Sequence, residues 1–242
     1  MTTNDSPPVG IYRPLTPQRV VVGLGKLDTL IDELDQLAVK NALIITSPSV
    51  AQQTPLLKQL TSALGCPAET VFQKVTPHSP IPMILEAAEQ ARANSSDCLI
   101  SIGGGSSIDT AKAIAFVLSR NIKTLSDFEP HLERAANGQA TAPANLKPLP
   151  HIAIPTTGSA AEYSGIAGIT EPTHKKKYLI ATPDIAPQVS ILDPTAVAHT
   201  PNEFWLSTLI RSVDHAIEAA YSKTLRHWGR CRLPPGTVVG LR

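Results

Sequence analysis

Cysteine is scarce in this 242-residue chain. Cys66, Cys98 and Cys231 are odd in number and far apart. That spacing excludes a disulfide framework, and it does not match a cysteine metal site. Charge of one sign is missing too: the formal net charge is +1, so nothing pulls the whole chain toward nucleic acid or an anionic membrane. No apolar run approaches the length of a membrane span. The opening residues Met1 to Pro8 are polar and lack the apolar core of a secretory signal. The chain is therefore expected in the cytoplasm, with no membrane and no nucleic-acid partner. Acidic residues disappear after Glu218, where Lys223, Arg226, Arg230, Arg232 and Arg242 leave the rest of the chain at −4. This basic end lacks the clustering and aromatic interleaving of a nucleic-acid arm.

What remains is ordinary globular composition, with 42% hydrophobic and 17% charged residues, enough for one large or two small domains. Arg19 to Gly25 reads as a strand ending in a glycine turn. Leu27, Leu30, Ile31, Leu34 and Leu37 recur at helical spacing, with Asp28, Asp32, Glu33 and Asp35 on the other side. Ala42 to Thr46 is a buried strand, Leu56 to Leu64 a helix, Glu69 to Phe72 a strand and Pro82 to Ala93 a helix. Residues 120 to 150 are polar and interrupted by proline, and read as a loop. Ile166 to Thr170 and Tyr178 to Ala181 form a hairpin across Glu171 to Lys177. Pro187 to Pro194 resembles the last strand of a nucleotide-binding domain, with Asp193 as a structural turn residue before Pro194. Strands alternating with helices indicate a parallel sheet covered on both faces, with ligands beyond the carboxyl ends of its strands.

The central stretch is Asp97 to Ala115. Leu99, Ile100 and Ile102 make an apolar strand. Gly103, Gly104 and Gly105 form a tight turn that lets a ligand approach the main chain. A helix follows, for which Ser106 or Ser107 can serve as cap. Free amides at a helix start make an anion site, and a pyrophosphate suits it. The plain alternative is a glycine-rich turn without a ligand.

Gly103-Gly-Gly-Ser-Ser-Ile-Asp-Thr-Ala-Lys112 resembles the signature of the iron-containing alcohol dehydrogenase family, and is neither a Rossmann fingerprint nor a Walker A loop. Pro155-Thr-Thr followed by a small-residue loop and Glu162 resembles the same family. Its short threonine-to-glutamate spacing is similar to that of the maleylacetate reductase branch. Asp214-His-Ala-Ile-Glu-Ala219 resembles a third family segment. The resemblance covers about residues 17 to 222. It implies an α/β fold of the dehydroquinate synthase-like, iron-type alcohol dehydrogenase kind. A parallel-sheet dinucleotide-binding domain would span 17–195, after a proline-rich lead-in at 1–16 that reads as flexible or as an extended edge segment. Only the first part of an all-helical second domain would follow, at 196–222, and then an atypical basic tail at 223–242.

The resemblance further implies NAD or NADP as cofactor and a small substrate: an aldehyde, a ketone or an oxo-acid. Gly103, Gly104, Gly105 and Ser106 would cradle the pyrophosphate, and Asp109 would orient the turn or meet the ribose. Thr156, Thr157 and Lys177 would position the rest of the cofactor. The strand ending at Ser47 carries no carboxylate to repel a 2′-phosphate, which leaves NADP permitted, unless the ribose is held elsewhere. His78 is either a cofactor neighbour or a plain loop histidine. His215 would face the substrate as the catalytic histidine, or lie buried with a hydrogen-bonded partner. In metal-dependent members an aspartate four residues before that histidine binds iron or zinc. Here that residue is Arg211, a cation, and Asp214 points about 100° away on a helix, so no metal ligand is assigned. Homodimers through a sheet edge are the assembly the resemblance allows. A truncated, catalytically inactive nucleotide-binding relative is the alternative function, and a dehydroquinate synthase-like lyase ranks last.

Overall fold

A computed structural model describes residues 10–12, 18–65, 67–137 and 146–221. The short strand β1 (Gly10–Tyr12) leads into β2 (Arg19–Val22), and α1 (Leu30–Leu37) follows a glycine turn and a single 3-10 turn. Then come β3 (Ala42–Thr46), α2 (Pro48–Gln53), α3 (Leu56–Leu64), β4 (Val71–Phe72) and α4 (Ile81–Ala93). The central unit is β5 (Cys98–Gly103) and α5 (Gly105–Ser119), followed by α6 (Leu125–Ala136) and β6 (His151–Pro155). A hairpin of β7 (Ile166–Glu171) and β8 (Lys176–Ala181) precedes β9 (Val189–Leu192), α7 (Pro194–Val197) and α8 (Asn202–Tyr221).

Seven strands form one sheet in the order β1-β2-β9-β6-β5-β3-β4, parallel throughout except for β1 on its edge. Strands buried on both faces have no polar side to show, which is why β3 and β5 read as near-continuous apolar runs. Alternate residues divide between two cores. Leu43, Ile45 and Leu99 join α4, α5 and α6 on one face; Ala42, Ile44, Ile100 and Ile102 join α1 and α3 on the other. Cys98 belongs to the second core, where burial pushes its thiol up to about 12 and leaves it inert.

Several expectations change. The region after residue 120 is not all loop. Thr124 and Asp127 form a reciprocal capping box that starts α6, which buries Phe128 against Phe116 at 6.2 Å between ring centroids. Glu33 is not on a solvated face. It is 2% exposed and ion-paired with Arg19 at 3.1 Å. Neither Ser106 nor Ser107 caps α5: Gly104 occupies the cap position, and no side-chain cap bond is made there. Lys177 lies within β8 rather than before it. The lead-in is not all flexible, since Gly10–Tyr12 pair with β2 as the edge strand β1; residues 1–9, 13–17 and the tail at 222–242 lie outside the described residues.

Asp193 has the structural role expected of it. Buried between β9 and α7, it accepts the amides of Gly25, Leu27 and Thr195 and the Thr195 hydroxyl at 2.8 to 3.2 Å. It thereby ties the turn after β2 to the start of α7.

Candidate functional site

The chain leaves β3 toward one edge of the sheet, returns to β5, and leaves β5 toward the other edge. Such a reversal opens a crevice at the carboxyl ends of the two strands, where open parallel sheets take their ligands. The glycine turn after β5 stands at that crevice. Gly103 has φ +142, open only to glycine at low cost, and a Cβ there would meet the Ser107 hydroxyl at 2.5 Å. Val50 of α2, just past Ser47, lies 3.8 Å from the same point. Gly104, Gly105 and Ser106 are half-buried while their neighbours Gly103 and Ser107 are fully covered. The first amides of α5 have no partner within the helix, and they sit on this accessible part.

Across the turn lies the loop after β6. The Thr156 amide donates to the Gly103 carbonyl at 2.9 Å. Thr157 packs against Gly104, where a Cβ would stand 3.2 Å from its methyl and 3.3 Å from its hydroxyl. Ser159 covers Gly105 in the same way, at 3.1 Å. Both threonines are buried, yet the Thr157 hydroxyl has no hydrogen-bond partner. A buried hydroxyl left unpaired costs about 1–3 kcal/mol, and an oxygen-bearing ligand over the turn would supply what is missing. The donors, the glycine cradle and this hydroxyl suit a dinucleotide phosphate.

Asp109, one turn into α5, faces the hairpin. Its carboxylate accepts the Gly168 amide at 3.1 Å and pairs with Lys112 at 2.8 Å. Lys177 passes over the same glycine from β8, its Cε 3.2 Å from a Cβ placed there. The structure therefore gathers Asp109 and Lys177 around Gly168. Ser47 caps α2, accepting the Val50 amide at 3.3 Å, and contacts the Ser49 hydroxyl at 3.0 Å. It ends the strand next to β5, since Thr46 pairs with Ile102. His78, in the loop before α4, is exposed and left-handed at φ 68, and its amide donates to the Ser106 hydroxyl at 3.4 Å. His215 belongs to α8, but its side chain lies outside the described residues.

Three further groups, Thr208, Ser79 and Lys112, were not singled out from the sequence. Thr208 of α8 accepts the Gly158 amide at 3.1 Å, docking that helix on the β6 loop. Leu209 crowds Gly158 so closely that a Cβ would meet it at 2.5 Å. Ser79 is fully buried beside Ser106. Lys112 is fully buried and donates to the carbonyls of Ala161, Ser164 and Ile166. Burial lowers its pKa, opposed by Asp109 and Glu162; burial raises that of Glu162, opposed by its own backbone and by Lys112. Nearby, His151 meets Ser101 at 2.8 Å, and burial together with Lys112 holds it down at about 3, so it stays neutral.

Among the described residues no cluster of three His, Cys, Asp or Glu side chains could hold a metal ion, and Arg211 is exposed on α8.

The model of the family "Iron-containing alcohol dehydrogenase" matches residues 17–194. A maleylacetate reductase of Sphingobium indicum is 29% identical over 217 residues, covering 88% of this chain and 50% of that protein. A long-chain-alcohol dehydrogenase of Geobacillus thermodenitrificans is 32% identical over 221 residues, covering 88% and 52%. The crystal structure of sulfoacetaldehyde reductase from Bifidobacterium kashiwanohense, in complex with NAD+, superposes with a TM-score of 0.73 at 25% identity. It covers 90% of this chain and 55% of the other. The chain thus spans about half the length of the relatives it matches. With the family model matched from strand β2 to the start of α7, the chain belongs to the iron-containing alcohol dehydrogenase family.

Proposed function

We propose that this chain binds NAD or NADP across the carboxyl edge of its sheet, as the cofactor half of an oxidoreductase acting on an aldehyde, ketone or oxo-acid. The observation that carries the reading is the Thr157 hydroxyl, buried without a partner and facing the glycine turn at the start of α5. Gly103, Gly104, Gly105 and Ser106 hold the pyrophosphate with main-chain amides and the serine hydroxyl. Thr156 fixes the turn through its amide, and Thr157 donates to a phosphate or ribose oxygen. Lys177, exposed on β8, supplies a cation beside the Asp109 carboxylate. Ser47 meets the adenosine ribose with a neutral hydroxyl, compatible with a 2′-phosphate. His215 faces the substrate from α8. The bound nicotinamide supplies the hydride exchanged with the substrate carbon; the chain supplies position and exclusion of water. No metal takes part in this reading, because Arg211 replaces the ligand that the family resemblance implies.

The reading assigns residues 17–195 to the dinucleotide-binding domain and 196–222 to the start of a helical one. It extends to a cytoplasmic protein that forms homodimers. A second reading, nucleotide binding without turnover, is favoured by α8, whose Phe204, Leu206 and Ile210 are more than half exposed. Titration with NADH and NADPH, followed by nicotinamide fluorescence, tests the common part. Turnover with an aldehyde and an oxo-acid separates the two. Binding with oxidation of the cofactor supports the oxidoreductase; binding alone supports the inactive relative; no binding of either nucleotide sinks both.

A further inference from the structure

The loop before α4 holds two consecutive non-glycine residues in the left-handed region, His78 at φ 68 and Ser79 at φ 46. Side chains rarely adopt that conformation, and a pair of them persists only where the surroundings hold it. Here the surroundings are specific. Ser79 has no exposed surface. The Thr110 hydroxyl donates to the Ser79 hydroxyl at 3.0 Å, and the Ser79 hydroxyl donates to the Ser106 carbonyl at 3.1 Å. From the other side, the Thr170 amide donates to the Ser79 carbonyl at 3.2 Å, and the Thr170 hydroxyl to the His78 carbonyl at 2.9 Å. The strained pair is thus clamped between the first two turns of α5 and strand β7.

The clamp acts on one atom. With the backbone left-handed, the His78 amide points at the Ser106 hydroxyl oxygen, 3.4 Å away. A hydroxyl has one proton to give and lone pairs to receive. With a lone pair occupied by an N–H, the Ser106 proton is left for another acceptor, and Ser106 is part-exposed at the mouth of the crevice. We propose that Ser79 is a positioning residue. Its buried hydroxyl locks the His78–Ser79 turn onto α5, so that the His78 amide fixes Ser106 as a hydrogen-bond donor to a phosphate of the bound dinucleotide. This rests on the dinucleotide reading above. It adds a residue that touches no ligand and acts through two others.

The full chain carrying Ser79→Ala or Ser79→Gly is the test. Glycine relaxes the left-handed backbone and so keeps the fold accessible, while both variants lack the hydroxyl. NADH binding is read by fluorescence, with ADP and adenosine as competitors. Loss of one hydrogen bond to a charged ligand predicts NADH and ADP weakened about three- to tenfold in both variants, with adenosine unchanged. Ser106→Ala gives a similar loss, and combining it with Ser79→Ala adds little further. Three results overturn the inference while leaving the dinucleotide reading intact: wild-type ADP affinity in both variants, full affinity restored by glycine, or equal weakening of adenosine and ADP. Failure of the wild-type chain to bind NADH or NADPH removes the parent reading and this inference with it.

Discussion

The Lys112 ammonium stands 2.8 Å from the Asp109 carboxylate, with no part of the lysine side chain in contact with solvent. The same ammonium collects the carbonyls of Ala161, Ser164 and Ile166. One cation on α5 therefore anchors the whole segment that runs from the β6 loop into the hairpin. Lys112→Met removes this donor from the three carbonyls and leaves the Asp109 carboxylate with the Gly168 amide but without its cation. The expected cost is about 2–4 kcal/mol, because removing one member of a buried pair exposes the penalty of the other. Asp109→Asn keeps the bond from the Gly168 amide and costs less, about 1–2 kcal/mol. Urea unfolding measures both. Hydrogen exchange in the Lys112→Met protein is expected to accelerate between residues 160 and 170; unchanged exchange there would contradict the anchoring role.

Asp193 gives the chain an acid-sensitive joint. Burial pushes its carboxyl up, but this is outweighed by hydrogen bonds from Leu27, Thr195 and Gly25, and the net pKa lies below the ordinary value. A depressed carboxyl stabilises the fold above the unfolded pKa, about 4, and that stability is lost as the pH falls toward the folded value. Asp193→Asn is expected to cost about 1–3 kcal/mol at pH 7. Its stability should also fall less steeply than that of the parent chain between about pH 5 and pH 3. Urea midpoints at several pH values check the slope, and parallel curves would show that the joint is not at Asp193.

Thr157→Val separates stability from binding. The hydroxyl is buried and unpaired, so exchanging it for a methyl of similar size removes a desolvation cost. Stability should hold or rise by about 1 kcal/mol. Nucleotide affinity should fall about five- to tenfold, the worth of one hydrogen bond to the ligand. A variant that loses stability and keeps its affinity would show that this hydroxyl serves the fold and not a ligand.

Much of this was legible in the sequence, for physical reasons that differ by element. Strand β5, its glycines and α5 were visible because buried parallel strands and tight turns restrict residue type severely. The hairpin was visible because β7 and β8 are short apolar runs across a polar turn. Helix α6 was misread: Pro130 sits inside it and its polar composition suggested a loop, although Thr124 and Asp127 carried the spacing of a capping box. Glu33 and Lys112 were misjudged or passed over because a charge reads as solvent-facing until its partner is known, and Arg19 and Asp109 supply those partners. Ser79 was passed over because a left-handed backbone at a serine leaves no mark in composition or period.

Helix α8 divides its apolar residues between two faces. Leu209 turns inward onto Gly158. Leu206, Ile210, Val213 and Ile217 recur at spacings of four, three and four, the period of one helical stripe, and each is more than half exposed. An exposed apolar stripe of this kind drives association or dye binding in a monomeric protein. The full chain is therefore expected to bind an apolar fluorescent dye and to self-associate as its concentration rises. Ile210→Lys combined with Ile217→Lys should abolish both effects and leave the melting temperature within about 2 °C, since neither side chain is buried in the core. Analytical ultracentrifugation of parent and double variant measures this. If the double variant associates as strongly as the parent, the stripe is not the contact, and a sheet edge, β1 or β4, is the surface to test next.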